Sequence, residues 1–145
     1  MKKIILILFS LYSFAFGAVP FTVENIQNLR ILLINHSDIV SKKQIENIKI
    51  DIQKNLEKHG INLKEIDPST LVIIIETMEV NKINIANIQF IISEEVITRR
   101  KNDINTFAFT YYTNDFFEIE EKSDIKESVD ILLEQFLELY EEDME

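Results

Sequence analysis

Five consecutive apolar residues, Leu71 to Ile75, stand in a chain whose other apolar positions mostly recur at every second place or at every third and fourth. An unbroken run of that length, three of its members isoleucine, predicts a strand buried on both faces. Its alternation becomes cleaner toward Glu76 and Glu79, where one edge is expected to meet water. Upstream, "RILLIN" (Arg30 to Asn35) is a shorter apolar run closed by polar "HSD", which also reads as a buried strand. Between the two lies "SKKQIENIKIDIQKNLEKHG", a segment with helix punctuation at both ends. Ser41 and Gln44 have capping-box spacing, and Val40 and Ile45 can close a hydrophobic staple. Ile45, Ile48, Ile52 and Leu56 fall on one face. Lys58 and His59 stand where the helix dipole favours cations, and Gly60 supplies a left-handed stop.

Downstream, "DPST" (Asp67 to Thr70) reads as a turn with Pro68 in its favoured second position, leading into the Leu71 strand. "NKIN" reads as a hairpin loop to a third strand, in which Ile88, Phe90 and Ile92 share a face opposite Gln89 and Ser93. "TRRKND" predicts the next reversal. The fourth strand contains "FAFTYYTNDFFE", where Phe107, Phe109 and Tyr111 alternate with Ala108, Thr110 and Tyr112. Period two makes the first three a core face turned toward the helices. Tyr112 falls on the other face, and Phe116 and Phe117 fall in the segment before a last helix. That helix begins at about Asp124, with Asp124 and Glu127 placed to cap it. Its apolar stripe is Ile125, Val129, Leu132, Leu133, Phe136 and Tyr140. The order strand, helix, three strands as a meander, helix predicts an α+β domain, two helices on a four-stranded, mainly antiparallel sheet.

This arrangement raises a difficulty of cover. Ile31 and Leu33 oppose Leu32 and Ile34, and Leu71, Ile73 and Ile75 oppose Val72 and Ile74. Helices on one face alone would leave the other with an apolar patch larger than a lone soluble protein usually shows. An N-terminal arm (Phe21 to Ile26), one helix on each face, or a partner could each cover it.

The amino end changes the picture of where the chain works. Lys2 and Lys3 precede an apolar run from Ile4 to Phe16, followed by Gly17, Ala18, Val19 and Pro20. This is the pattern of a secretory signal peptide cut before Ala18. The run is short for a bilayer span, which needs about 20 apolar residues. An uncleaved anchor is the alternative, disfavoured by the proline and the lack of a polar stop. The expected organisation is a signal peptide at 1–17, an arm at 18–28 and a single domain at 29–145. With no cysteine, the chain has no disulfide, no thiolate chemistry and no lipoprotein acylation site. Export without lipidation points to the periplasm of a Gram-negative bacterium, or to secretion. Cleavage would remove Lys2 and Lys3 and take the formal charge from −10 by two further units, to −12. Such acidity argues against nucleic acid and against direct binding to an anionic membrane.

Little in the sequence carries chemistry. His36, Ser37 and Asp38 are consecutive, whereas triad groups must converge in space; Ser37 and Asp38 are better read as turn residues bonding backbone groups. His59 has no His or Cys at chelating spacing. Two glycines cannot build a phosphate-cradling loop. Asp115, Glu118, Glu120 and Glu121 lack the calcium-loop pattern and its glycine. No catalytic residue, cofactor or metal is therefore expected. The residues that stand out as partner-binding are Tyr112, Phe116 and Phe117, together with Arg99, Arg100 and Lys101, the one basic cluster downstream of the signal segment.

In element order, from about Leu29 onward, the chain resembles the small periplasmic accessory domains of bacterial envelope assembly. Examples are the lipoprotein plug of the lipopolysaccharide translocon and the auxiliary lipoproteins of lipid transporters. It departs from them in lacking the acylated cysteine, and no functional residue carries over. The two-faced apolar content of the first two strands and the absence of a catalytic constellation lead to the expectation of a non-catalytic protein that binds another envelope component through its second sheet face or the Tyr112 to Phe117 corner, with an envelope protein or a second copy as partner. A small-molecule or lipid carrier with a cavity between helices and sheet is the alternative.

Overall fold

The structure, a computed structural model, describes residues 22–64 and 69–144. The expected signal peptide at 1–17, and Asp67 and Pro68 of the expected turn, lie outside the described residues. Its elements are β1 (Arg30–His36), α1 (Lys42–Lys58), β2 (Thr70–Val80), β3 (Ile83–Ile97), β4 (Asn105–Glu118) and α2 (Asp124–Met144). The strands form one sheet in the order β1-β2-β3-β4. β1 and β2, joined through α1, pair in parallel, and the other two pairings are antiparallel. The α+β reading, two helices on a mostly antiparallel sheet, is what the chain forms.

Local chemistry sets each helix end. The Ser41 hydroxyl accepts the Gln44 backbone N–H at 3.3 Å, and the Gln44 side chain accepts the Ser41 N–H at 2.9 Å. Together they satisfy two donors that the first turn cannot. At the far end the backbone reaches φ +86° at Gly60, where an added Cβ would meet nothing within 4 Å. The left-handed angle, rather than lack of space, is what calls for glycine. α2 begins differently from expectation. The Asp124 carboxylate accepts the N–H groups of Glu120 and Glu121 at 2.8 Å, so it fastens the turn before the helix rather than capping the first turn. The β2–β3 turn is also tighter than the expected four-residue loop. Ile83 and Asn84 pair with Val80 and Glu79, leaving only Asn81 and Lys82, both at positive φ, to reverse the chain. That is the geometry a two-residue hairpin demands.

One core fills the space between sheet and helices. Leu71, Ile73 and Ile75 of β2 and Ala86, Ile88, Phe90 and Ile92 of β3 meet Ile48, Ile52 and Leu56 of α1 and Ile125, Val129, Leu132, Leu133 and Phe136 of α2. Both helices therefore lie on the same face. The arm joins them, because Val23, Ile26 and Leu29 are buried in the same cluster. It enters where the Thr22 N–H donates to the Thr110 carbonyl at 2.8 Å, and it leaves through a bridge between Asn28 and Asn62. Burial of one large apolar side chain contributes about 1.5–3 kcal/mol, so this single cluster dominates the stability of the domain.

The expected core face of β4 is corrected. Tyr111 is buried, its ring edge-on to Phe136 with centroids 5.4 Å apart, but Phe107 and Phe109 are 64% and 60% exposed. The pairing of β3 with β4 slips between Ile92 and Ser93: Ile92 faces Tyr111 while Ser93 faces Phe109, so Thr110 is an extra residue on β4. This β-bulge inserts one position between Phe109 and Tyr111 and sends them to opposite faces. Glu94 secures the bulge by accepting the hydroxyls of Thr110 and Ser69. β4 also runs on through Phe116 and Phe117, which the sequence placed in a connecting segment.

Two tests follow from this packing. Ser41→Ala should lower the free energy of unfolding by about 1 kcal/mol, read from urea denaturation. Burial pushes the Tyr111 hydroxyl pKa up. Its stabilising contribution is thus complete below the unfolded value of about 10 and is lost as pH rises toward the folded one. Unfolding free energies measured on either side of about pH 10 should fall less steeply in Tyr111→Phe than in the wild type.

Candidate functional site: the open face of the sheet

Because both helices and the arm share one side, the register places a defined set of side chains on the other. β1 contributes Leu32, Ile34 and His36, and β2 contributes Val72, Ile74, Glu76, Met78 and Val80. β3 adds Ile83, Ile85, Asn87, Gln89, Ile91, Ser93 and Glu95, the last two opposite Phe109 and Phe107, and β4 adds Phe107, Phe109, Tyr112, Asn114 and Phe116. Among the described residues no helix packs on this face. Ile91, paired with Val72 and Tyr112, is nevertheless buried, at 4% exposure.

The face has internal order. A polar stripe crosses it near the middle of β3. His36 Nδ1 lies 3.6 Å from Glu76 Oε1, and Glu76 Oε2 accepts from the Asn87 and Gln89 amides at 3.2 and 3.3 Å. Asn114 donates to Asn87 at 3.5 Å, which extends the stripe onto β4. On one side of it lie Leu32, Val72, Ile91, Phe107, Phe109 and Tyr112. On the other lie Met78, Val80, Ile83, Ile85 and Phe116.

The residues singled out by sequence are divided by the fold. Tyr112 and Phe116 stand on the open face. Phe117 points to the helix side, half-buried against the core. Arg99, Arg100 and Lys101 are exposed at the tip of the β3–β4 hairpin and, among the described residues, take part in no ion pair. Phe107 and Phe109 belong to the face and were assigned to the core. The sequence signal that could have moved them is in β3, where Ser93, Glu94 and Glu95 interrupt the alternation opposite them. Glu94 stays in the core-side phase of Ile88, Phe90 and Ile92, and the extra residue on β4, Thr110, gives its carboxylate a hydroxyl partner.

Elsewhere the structure offers shallower features. The interval between helices and sheet is filled by the core, and a groove of about 740 Å³ lies outside it, between α1 and the start of α2. Lys126 lines that groove, 3.5 Å from Asp51 and 2.6 Å from Asp130. The hydrogen bond to Asp130 is the main cause that holds its pKa above the ordinary lysine value. Ser37, the centre of the His-Ser-Asp string, accepts from Ile39 N–H and from the Thr77 hydroxyl, which occupies it structurally. No group of His, Asp and Glu among the described residues has metal-binding geometry, and no described helix is long and apolar enough to cross a membrane. In comparison with known proteins, no family model matches this chain and no curated protein matches it in sequence.

Exposed side chains and core side chains should separate cleanly in stability. At high dilution, Phe109→Ser and Phe116→Ser should each leave the free energy of unfolding within about 0.5 kcal/mol of the wild type. Phe136→Ala should lower it by about 3–5 kcal/mol. Urea denaturation followed by circular dichroism measures all three.

Proposed function

We propose that this chain is a non-catalytic periplasmic protein that binds another component of the cell envelope through the open face of its sheet, in an accessory or adaptor role. The observation that carries the reading is the extent of that face. Phe107, Phe109 and Phe116 are each about three-fifths exposed, and Leu32, Met78, Val80 and Ile83 are exposed on the same face, on either side of the polar stripe. Scattered apolar side chains are ordinary on a surface, but so many aromatic and aliphatic groups on one sheet face mark a surface meant to be covered. Aromatic side chains also supply large contact area at small entropic cost, which is why they anchor interfaces. The export signal read at residues 1–17, and the absence of cysteine, support the periplasmic address.

A photoreactive residue at Phe109, with Glu46 on the outer side of α1 as control, tests the reading in living cells. The expected result is a discrete protein-sized adduct from position 109 and none from position 46. No adduct from position 109, or equal capture from both, would end the proposal.

A further inference from the structure

The β3–β4 hairpin is longer than the sheet that supports it. β2 pairs with β3 only as far as Ser93, opposite Thr70, whereas β3 and β4 continue to pair out to Ile97 and Asn105. The end of the hairpin is therefore a two-stranded arm, an element that is marginal when it stands alone. Ile97 is 67% exposed on the same side of it as Phe107, and Ile104 is 50% exposed on the other side. Its tip carries Arg99, Arg100 and Lys101 in a chain of formal charge −10. At the opposite end of β4 stand the exposed carboxylates of Glu118, Glu120 and Glu121, with Glu79 exposed at the neighbouring end of β2 and Lys82 and Lys122 the only basic groups beside them in sequence. β3 spans 15 residues, so the basic and acidic ends lie roughly 45 Å apart.

A face with opposite charges at its two ends is complementary to itself about a line midway between them. We infer that the occupant of the open face is a second copy of this chain. The two sheets pack face to face about a two-fold axis that runs parallel to them and across the strands. That operation reverses the strand direction. Set midway between the two charged ends, near Ser93 of β3, it lays the Phe107–Phe109 part of each face on its counterpart and brings each basic tip to the acidic corner of the other copy. The area is sufficient. The exposed apolar side chains of face and arm leave on the order of 900 Å² per chain, against about 800 Å² per partner in a standard stable interface. The bulge at Thr110 bends β4 at the root of the arm and so sets the angle at which the arm reaches out. This inference rests on reading the open face as a docking surface, and it names the partner.

Sedimentation equilibrium of the exported chain at micromolar concentration should give twice the mass of one chain. The triple variants R99E/R100E/K101E and E118K/E120K/E121K should each weaken self-association about a hundredfold while keeping the wild-type circular dichroism spectrum. Mixed in equal amounts they should recover a mixed dimer, because both tip-to-corner contacts are then of opposite charge. A wild type of single-chain mass overturns the inference, as do charge variants that dimerise like wild type or a mixture that stays monomeric. If the wild type is monomeric while position 109 captures a different protein in cells, the second copy is excluded and the docking reading stands. If position 109 captures nothing as well, both fail.

Discussion

Everything in this molecule depends on the choice of one side. The connection from β1 to a parallel β2 has to leave the plane of the sheet and return, and α1 makes that crossing over a single face. α2, returning from β4, settles beside α1 on the same face, and Val23 and Ile26 close the remaining opening. With both helices and the arm committed, one surface of the sheet becomes a dense interior. The other inherits whatever side chains alternation sends to it.

That inheritance would be unremarkable if the outward positions were polar, as in most half-buried antiparallel sheets. Here β1 and β2 are apolar at inward and outward positions alike, the pattern of strands that expect cover on both sides. The outward residues are half-buried where strands crowd them, as at Val72 and Ile74, and most exposed where the sheet runs out toward β4. The polar stripe is held within the sheet, by the 3.6 Å approach of His36 to Glu76 and by hydrogen bonds that join Glu76, Asn87, Gln89 and Asn114.

Much of the fold could be read from residues because the governing interactions are local. The capping box at Ser41, the stop at Gly60, and the stripe from Ile125 to Tyr140 depend on neighbours within one or two turns. So does the alternation of Ile88, Phe90 and Ile92. What could not be read depends on pairing between distant segments. A bulge has no composition of its own, and only the opposition of Ser93 to Phe109 reveals that Thr110 is surplus. The error was confined to Phe107 and Phe109, since Tyr111 to Phe117 lie beyond the slip and keep their phase. Asp124 was misread for a related reason: its carboxylate serves a turn whose shape is set by where β4 ends, and β4 ended later than its composition implied.

The parallel pairing of β1 with β2 also constrains the order in which the molecule can assemble. Val80 and Ile83 meet across a two-residue turn, but Arg30 waits for Thr70. Closing the longer loop costs more chain entropy before any contact repays it, so the β2–β3–β4 meander has the kinetic advantage over β1. The segment synthesised first is thus the last to find its place, and until it does the outer edge of β2 is bare. A nascent chain in this state presents the highly apolar β2 as an edge strand, a period of vulnerability to aggregation that ends when β1 pairs with it.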